Sequence, residues 1–119
     1  MTIKFNNMVT ITIYERHTHK VLKINGRLDA LNAADFENKL NEAIEGHNGH
    51  LVFDLSEVDY ISSAGIRIFL MLINKMEGSA NKIAVAGLNE MLREVFEISG
   101  IDMYIGIFDS IEDALNTLE

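Results

Sequence analysis

Cysteine, proline and tryptophan are all absent from the 119 residues. Without cysteine there can be no disulfide, no thiol nucleophile and no cysteine-ligated zinc. Without proline, and with no Gly/Ser-rich stretch, the chain offers no linker, so a single domain over residues 1–119 is expected. Positive charge is scarce too: ten Lys and Arg stand against eighteen Asp and Glu, for a formal net charge of −8. Such a chain repels phosphate backbones and anionic bilayers, which argues against nucleic acid and membrane partners. The longest unbroken apolar run, Ile68 to Ile73, falls far short of the ~20 residues a membrane-spanning helix needs. The opening MTIKFNNMVT has neither the apolar core nor the cleavage-like small residues of a secretion signal. A soluble, cytoplasmic protein is expected.

What remains is 48% hydrophobic and strongly patterned. Val9, Ile11 and Ile13 alternate with Thr10, Thr12 and Tyr14, the period of a strand with one buried face. Val21 to Ile24 reads as a second strand, joined to the first as an antiparallel hairpin through the polar link 15–20 and closed by Gly26-Arg27-Leu28-Asp29. Asn32 with Asp35 resembles a helix cap, followed by an apolar face of Phe36, Leu40, Ala43 and Ile44 that stops near Gly46. Leu51-Val52-Phe53 is a short strand covered on both faces, ending at Asp54. A polar link then leads to Ser62-Ser63-Ala64-Gly65 and a helix with Ile66, Phe69, Leu70 and Ile73 on one stripe. Further along, strand 82–86, a helix capped by Asn89 and ended by Gly100, a weaker strand 104–107 and a last helix capped by Ser110 complete the chain. The fold class is α/β: a small mixed sheet of about five strands, a hairpin followed by parallel βα units, flanked by about four helices.

The chemistry centres on the Ser62-Ser63 pair at a helix start, where free backbone N–H groups favour anionic oxygen. In most proteins one such serine is simply a helix cap. A hydrolase nucleophile is the enzymatic alternative, but the elbow pattern wants small glycines on both sides, and only Gly65 is present. All four histidines, His17, His19, His47 and His50, precede the serines. His17 and His19 would share a strand face, yet no further ligands complete a metal set, and surface turn histidines are the simpler account. A phosphate-accepting role for Asp54 would need further carboxylates for magnesium; here the first strand runs into Tyr14-Glu15-Arg16-His17, so Asp54 reads as a loop or capping acid. No phosphate-binding glycine loop is present, and no cofactor is expected.

Four stretches in order carry a family resemblance: Ile24-Asn25-Gly26-Arg27-Leu28-Asp29; Leu51 to Leu55; Val58-Asp59-Tyr60-Ile61-Ser62-Ser63-Ala64-Gly65-Ile66; and Leu92 to Ile101. With them the chain, from Val9 onward, resembles the STAS domain family and within it the bacterial anti-sigma factor antagonists. The resemblance implies a non-enzymatic binding protein whose unmodified form captures an anti-sigma factor and so frees a sigma factor. That partner is implied to be a serine kinase as well, holding the ATP itself, with a PP2C-type phosphatase reversing the modification. Aligned on Gly65, the phosphoacceptor falls on Ser63, and Asp29, Ser62, Ala64, Gly65 and Arg67 fall on the contact face. A monomer or weak dimer is expected. Family members carry Asp in place of Ser62, a second Ser or Thr in place of Ala64 and Gly in place of Arg67; the missing acid bears on kinase recognition more than on partner binding. The other reading within the family is a STAS subunit of a different assembly, a stress-signalling scaffold or a lipid-transport ABC complex.

Overall fold

The computed structural model describes residues 2–4 in their backbone and residues 9–118 in full. Six strands form one sheet in chain order, β1 (Thr2–Lys4), β2 (Thr10–Arg16), β3 (His19–Leu28), β4 (Leu51–Ile61), β5 (Ile83–Ala86) and β6 (Gly106–Phe108). β1, β2 and β3 pair antiparallel, and β3 to β6 pair parallel. The sheet is thus the expected mixed one with an added edge strand, β1, whose three residues are too few to show a period. Four helices, α1 (Ala33–Ile44), α2 (Ser63–Met76), α3 (Glu90–Ser99) and α4 (Ile111–Leu118), complete the fold, with one 3-10 turn at Ile101–Met103.

Two rows of register partners explain the layering. Leu22, Phe53 and Val85 lie side by side and belong to the large core, which also takes Phe36 and Leu40 of α1, Phe69 and Leu72 of α2, and Leu92 and Phe96 of α3. Phe69 packs edge-on to both Phe53 and Phe96, with ring centroids 5.1 and 5.5 Å apart. The next row, Val21, Val52 and Ala84, faces the other way and is covered by Ala114 and Leu115 of α4. Because the parallel strands advance in one direction, right-handed crossovers put α1, α2 and α3 on one face and leave the other to α4. Strands buried on both faces must be apolar throughout, which is why β5 is simply Ile-Ala-Val-Ala.

Two expectations are corrected here. The central strand does not end at Asp54 but continues to Ile61, and the stretch read as a polar link is strand. β5 pairs with β4 only over Leu51 to Asp54, so beyond that point β4 has β3 alone as neighbour and can expose Glu57 and Asp59 while burying Leu55, Val58 and Ile61. Register shifts between Lys23 and Asn25 and between Gly26 and Arg27 let β4 take extra residues against β3, as bulges do. The Asp54 carboxylate is therefore within a strand, where it accepts the Ser56 N–H at 3.0 Å. The second correction is Asn32, which occupies the N-cap position of α1 but makes no side-chain cap bond.

Candidate functional site

β3 and β4 end side by side, Leu28 opposite Ile61, and this pairing brings the loop after β3 against the start of α2. The Ser62 N–H donates to the Leu28 carbonyl at 2.8 Å, locking the two segments together. Ser62 is the N-cap of α2: its backbone is extended and its Oγ accepts the Gly65 N–H at 3.3 Å. Ser63, the first helical residue, is exposed, and its hydroxyl makes no hydrogen bond among the described residues. The serine pair is thereby divided by role: Ser62 satisfies the helix end, and Ser63 offers an unengaged oxygen to solvent.

Gly65 lets this turn lie flat on the sheet. A Cβ there would sit 2.7 Å from Ile61 Cγ1 and 3.3 Å from Leu28 Cβ, so any side chain would push the helix start off β3 and β4. Ala64 beside it is half-buried, and Arg67, one turn further, is exposed. Arg27 lies on the adjoining strand with its guanidinium carbon 4.4 Å from the centre of the Tyr60 ring, a cation–π contact.

The loop after β3 is built by two side chains. One Asp29 carboxylate oxygen accepts the N–H groups of Leu31 and Asn32, at 3.0 and 3.1 Å. Asn32 is wholly buried; its Oδ1 accepts the Asp29 N–H at 3.0 Å and its Nδ2 donates to the Arg27 carbonyl at 2.7 Å. The result is a loop fixed by its own polar groups, with Leu31 at its tip 81% exposed. Neither Asn32 nor Leu31 stands out in the sequence as part of a site. The available signal was the three-residue spacing of Asp29 and Asn32 after a strand, the pattern of an Asx-type turn.

The histidines are at the opposite pole. His17 lies in the two-residue turn between β2 and β3 with a φ of 59°, and His19 opens β3, so the two do not share a strand face as expected. His19 instead stacks on His50 with centroids 4.6 Å apart, and His47 Nε2 lies 3.3 Å from the His50 carbonyl. Nδ1 of His19 accepts the His50 N–H and Nδ1 of His50 accepts the Lys82 N–H, which places the ring proton of each on Nε2. All of this precedes β4, whereas Ser62 and Ser63 follow it; eleven residues of strand, on the order of 30 Å, separate base from hydroxyl. A cleft of ≈ 970 Å³ between the second half of α2, β6 and α4 is lined by neither Ser62 nor Ser63. No helix among the described residues is long and apolar enough to cross a membrane.

Burial, and then the charges of His19 and Lys82, hold the His50 pKa below the usual 6.5. Folded His50 therefore refuses a proton that the unfolded chain accepts, and its contribution to stability, full above about pH 6.5, is lost as pH falls below that value. The melting temperature is expected to fall less between pH 7.5 and 5.5 in His50→Asn, whose amide oxygen can replace the Nδ1 acceptor, than in the unmodified protein. An equal fall in both would show that His50 is not the group responsible.

Comparison with known proteins gives this arrangement its context. The STAS domain family model matches residues 10–114. The anti-sigma-B factor antagonist of Listeria monocytogenes is 30% identical over 113 residues, covering 91% of this chain and 95% of its own. An anti-sigma factor antagonist from Mycobacterium paratuberculosis superposes with a TM-score of 0.86 at 20% identity, over 98% of both chains. The Bacillus cell fate determinant SpoIIAA in its phosphorylated form superposes with a TM-score of 0.70 at 18% identity, over 92% of this chain and 99% of that one. With a family match that runs from the first residue of β2 into α4, the chain belongs to the STAS domain family.

Proposed function

We propose that this chain is an anti-sigma factor antagonist controlled by phosphorylation of Ser63. Unmodified, it binds an anti-sigma factor through the turn Ser62 to Gly65, Arg67 and the Asp29 loop, and so releases a sigma factor. The partner is itself a serine kinase: the γ-phosphoryl group of the ATP it holds passes to Ser63 Oγ, the hydroxyl proton is lost and ADP leaves. A PP2C-type phosphatase hydrolyses the phosphoserine and restores binding. The whole exchange takes place in the cytoplasm, and the chain acts by binding, not by turnover.

The observation that carries this reading is the division of labour within the serine pair. Ser63 is exposed and, among the described residues, without a hydrogen bond, while Ser62 caps the helix. A phosphoryl group on Ser63 would break no native contact, and the first turn of a helix tolerates its negative charge. The fold survives and the surface changes. The names of the relatives support the same reading, and so does the placement of the histidines at the other end of β4 from Ser63, away from where an imidazole base would act. Added to a preformed complex of sigma factor and anti-sigma factor, the protein is expected to release the sigma factor, as followed by gel filtration. An intact complex at excess antagonist would overturn the proposal.

Leu31 should be an affinity anchor in this complex. It is apolar, exposed and held on a loop that is already ordered, so binding buries it without an ordering cost. Leu31→Ala is expected to weaken the complex about 10-fold and to leave the melting temperature unchanged. An affinity equal to that of the unmodified protein would place Leu31 outside the contact.

A further inference from the structure

We infer that Arg67 is the built-in counter-charge of phosphorylated Ser63, an inference that rests on Ser63 being the acceptor. Ser63 and Arg67 are four residues apart on α2, and both are exposed. Residues at that spacing lie one above the other on a helix surface, with Cβ atoms about 5–6 Å apart. Helix side chains lean toward the N-terminus, so a side chain at position 67 has Ser63 within its reach. An anion one turn N-terminal to a cation is also the more favourable order of such a pair.

Arg67 is uncommitted. Among the described residues it forms no ion pair, whereas Arg16 is paired with Glu112, Arg93 with Asp109, and Arg27 lies over Tyr60. In a chain of net charge −8, a free arginine placed one turn from a solvent-facing serine hydroxyl has a specific use. Its planar fork can take two phosphate oxygens at once, which a lysine cannot. The carboxylates near this turn, Asp29 on the loop beside it and Asp59 near the end of β4, oppose a phosphate and cannot replace Arg67.

The pairing has two consequences. It holds the phosphate down on the first turn of α2, and it lowers the second ionisation of the phosphoserine from its ordinary value of about 6. The switch then carries its full double charge through neutral pH. A partner meets a fixed, fully ionised group, not a mobile one that is partly protonated.

Phosphorus NMR on the protein carrying phosphoserine at position 63 tests this directly. The second ionisation is expected to have a midpoint about 0.2 to 0.4 pH unit lower with Arg67 than in Arg67→Gln. The gap should close in 1 M salt, and Arg67→Lys should fall between the two. Asp29 and Asp59 are common to all three proteins and cancel from the comparison. Because Arg67 is exposed, the variants should keep the unmodified melting temperature. Midpoints within 0.1 unit of each other in the two phosphoproteins, with Arg67 and with Arg67→Gln, would overturn the inference. The readout involves no partner, so it stands apart from the antagonist reading, which fails separately if phosphorylation leaves anti-sigma factor binding unchanged.

Discussion

Ser63→Asp is expected to weaken binding to the anti-sigma factor roughly 100-fold or more, while Ser63→Ala stays within about threefold of the unmodified protein. The asymmetry follows from where the hydroxyl sits. Among the described residues it has no hydrogen bond to lose, so removing it costs the fold little and the complex little. A carboxylate at the same position enters a surface that must give up its water on binding, and a charge that the partner's surface does not match costs several kcal/mol there. The fold itself should tolerate Asp, since acidic residues in the first turn of a helix are favoured by a few tenths of a kcal/mol. Melting temperatures of both variants should therefore match the unmodified protein, and calorimetric titration should separate them. Equal affinities would mean that the open face of α2 is not where the partner binds.

The second large effect concerns a residue that never touches the surface. Asn32→Ala is expected to destabilise the protein by about 2–4 kcal/mol in urea denaturation, because it orphans the Arg27 carbonyl and the Asp29 N–H in a buried setting and leaves a void. Partner affinity should fall with it, since the Asp29 loop loses the group that holds it against the end of β3. Asn32→Asp should be worse than Ala: it keeps the acceptor for the Asp29 N–H but turns a donor into a charge facing the Arg27 carbonyl. Were Asn32→Ala to bind as tightly as the unmodified protein while still destabilised, the loop would be ordered by Asp29 alone.

These two residues also mark what sequence could and could not show. The hydroxyl pair at a helix start was legible from Ser62-Ser63-Ala64-Gly65 and the helical stripe after it, but the residues alone left open which serine is the cap; the resemblance singled out Ser63, and the division of roles comes from the fold. The helix stops at Gly100 and the caps at Asn89 and Ser110 were legible for the same kind of reason, since backbone conformation and orphan N–H groups demand particular residue types. Asn32 was misread because a polar residue before an amphipathic run usually caps the helix; only the neighbouring strand end, distant partners such as the Arg27 carbonyl, and complete burial reveal its other role. The continuation of β4 through Ser56 and Glu57 was hidden by bulges, which break the alternation that identifies a strand. Leu31 carried no signal at all, since exposure of a leucine is a property of the folded loop and not of its residue type.

The central claim is that the two adjacent serines have different jobs, one structural and one regulatory. It is tested most directly by incubating the protein with the anti-sigma factor kinase and ATP and locating the phosphate by fragmentation mass spectrometry. The account predicts modification on Ser63 alone, abolished in Ser63→Ala and retained in Ser62→Ala. Phosphate on Ser62, or stoichiometric phosphate persisting in Ser63→Ala, would contradict it.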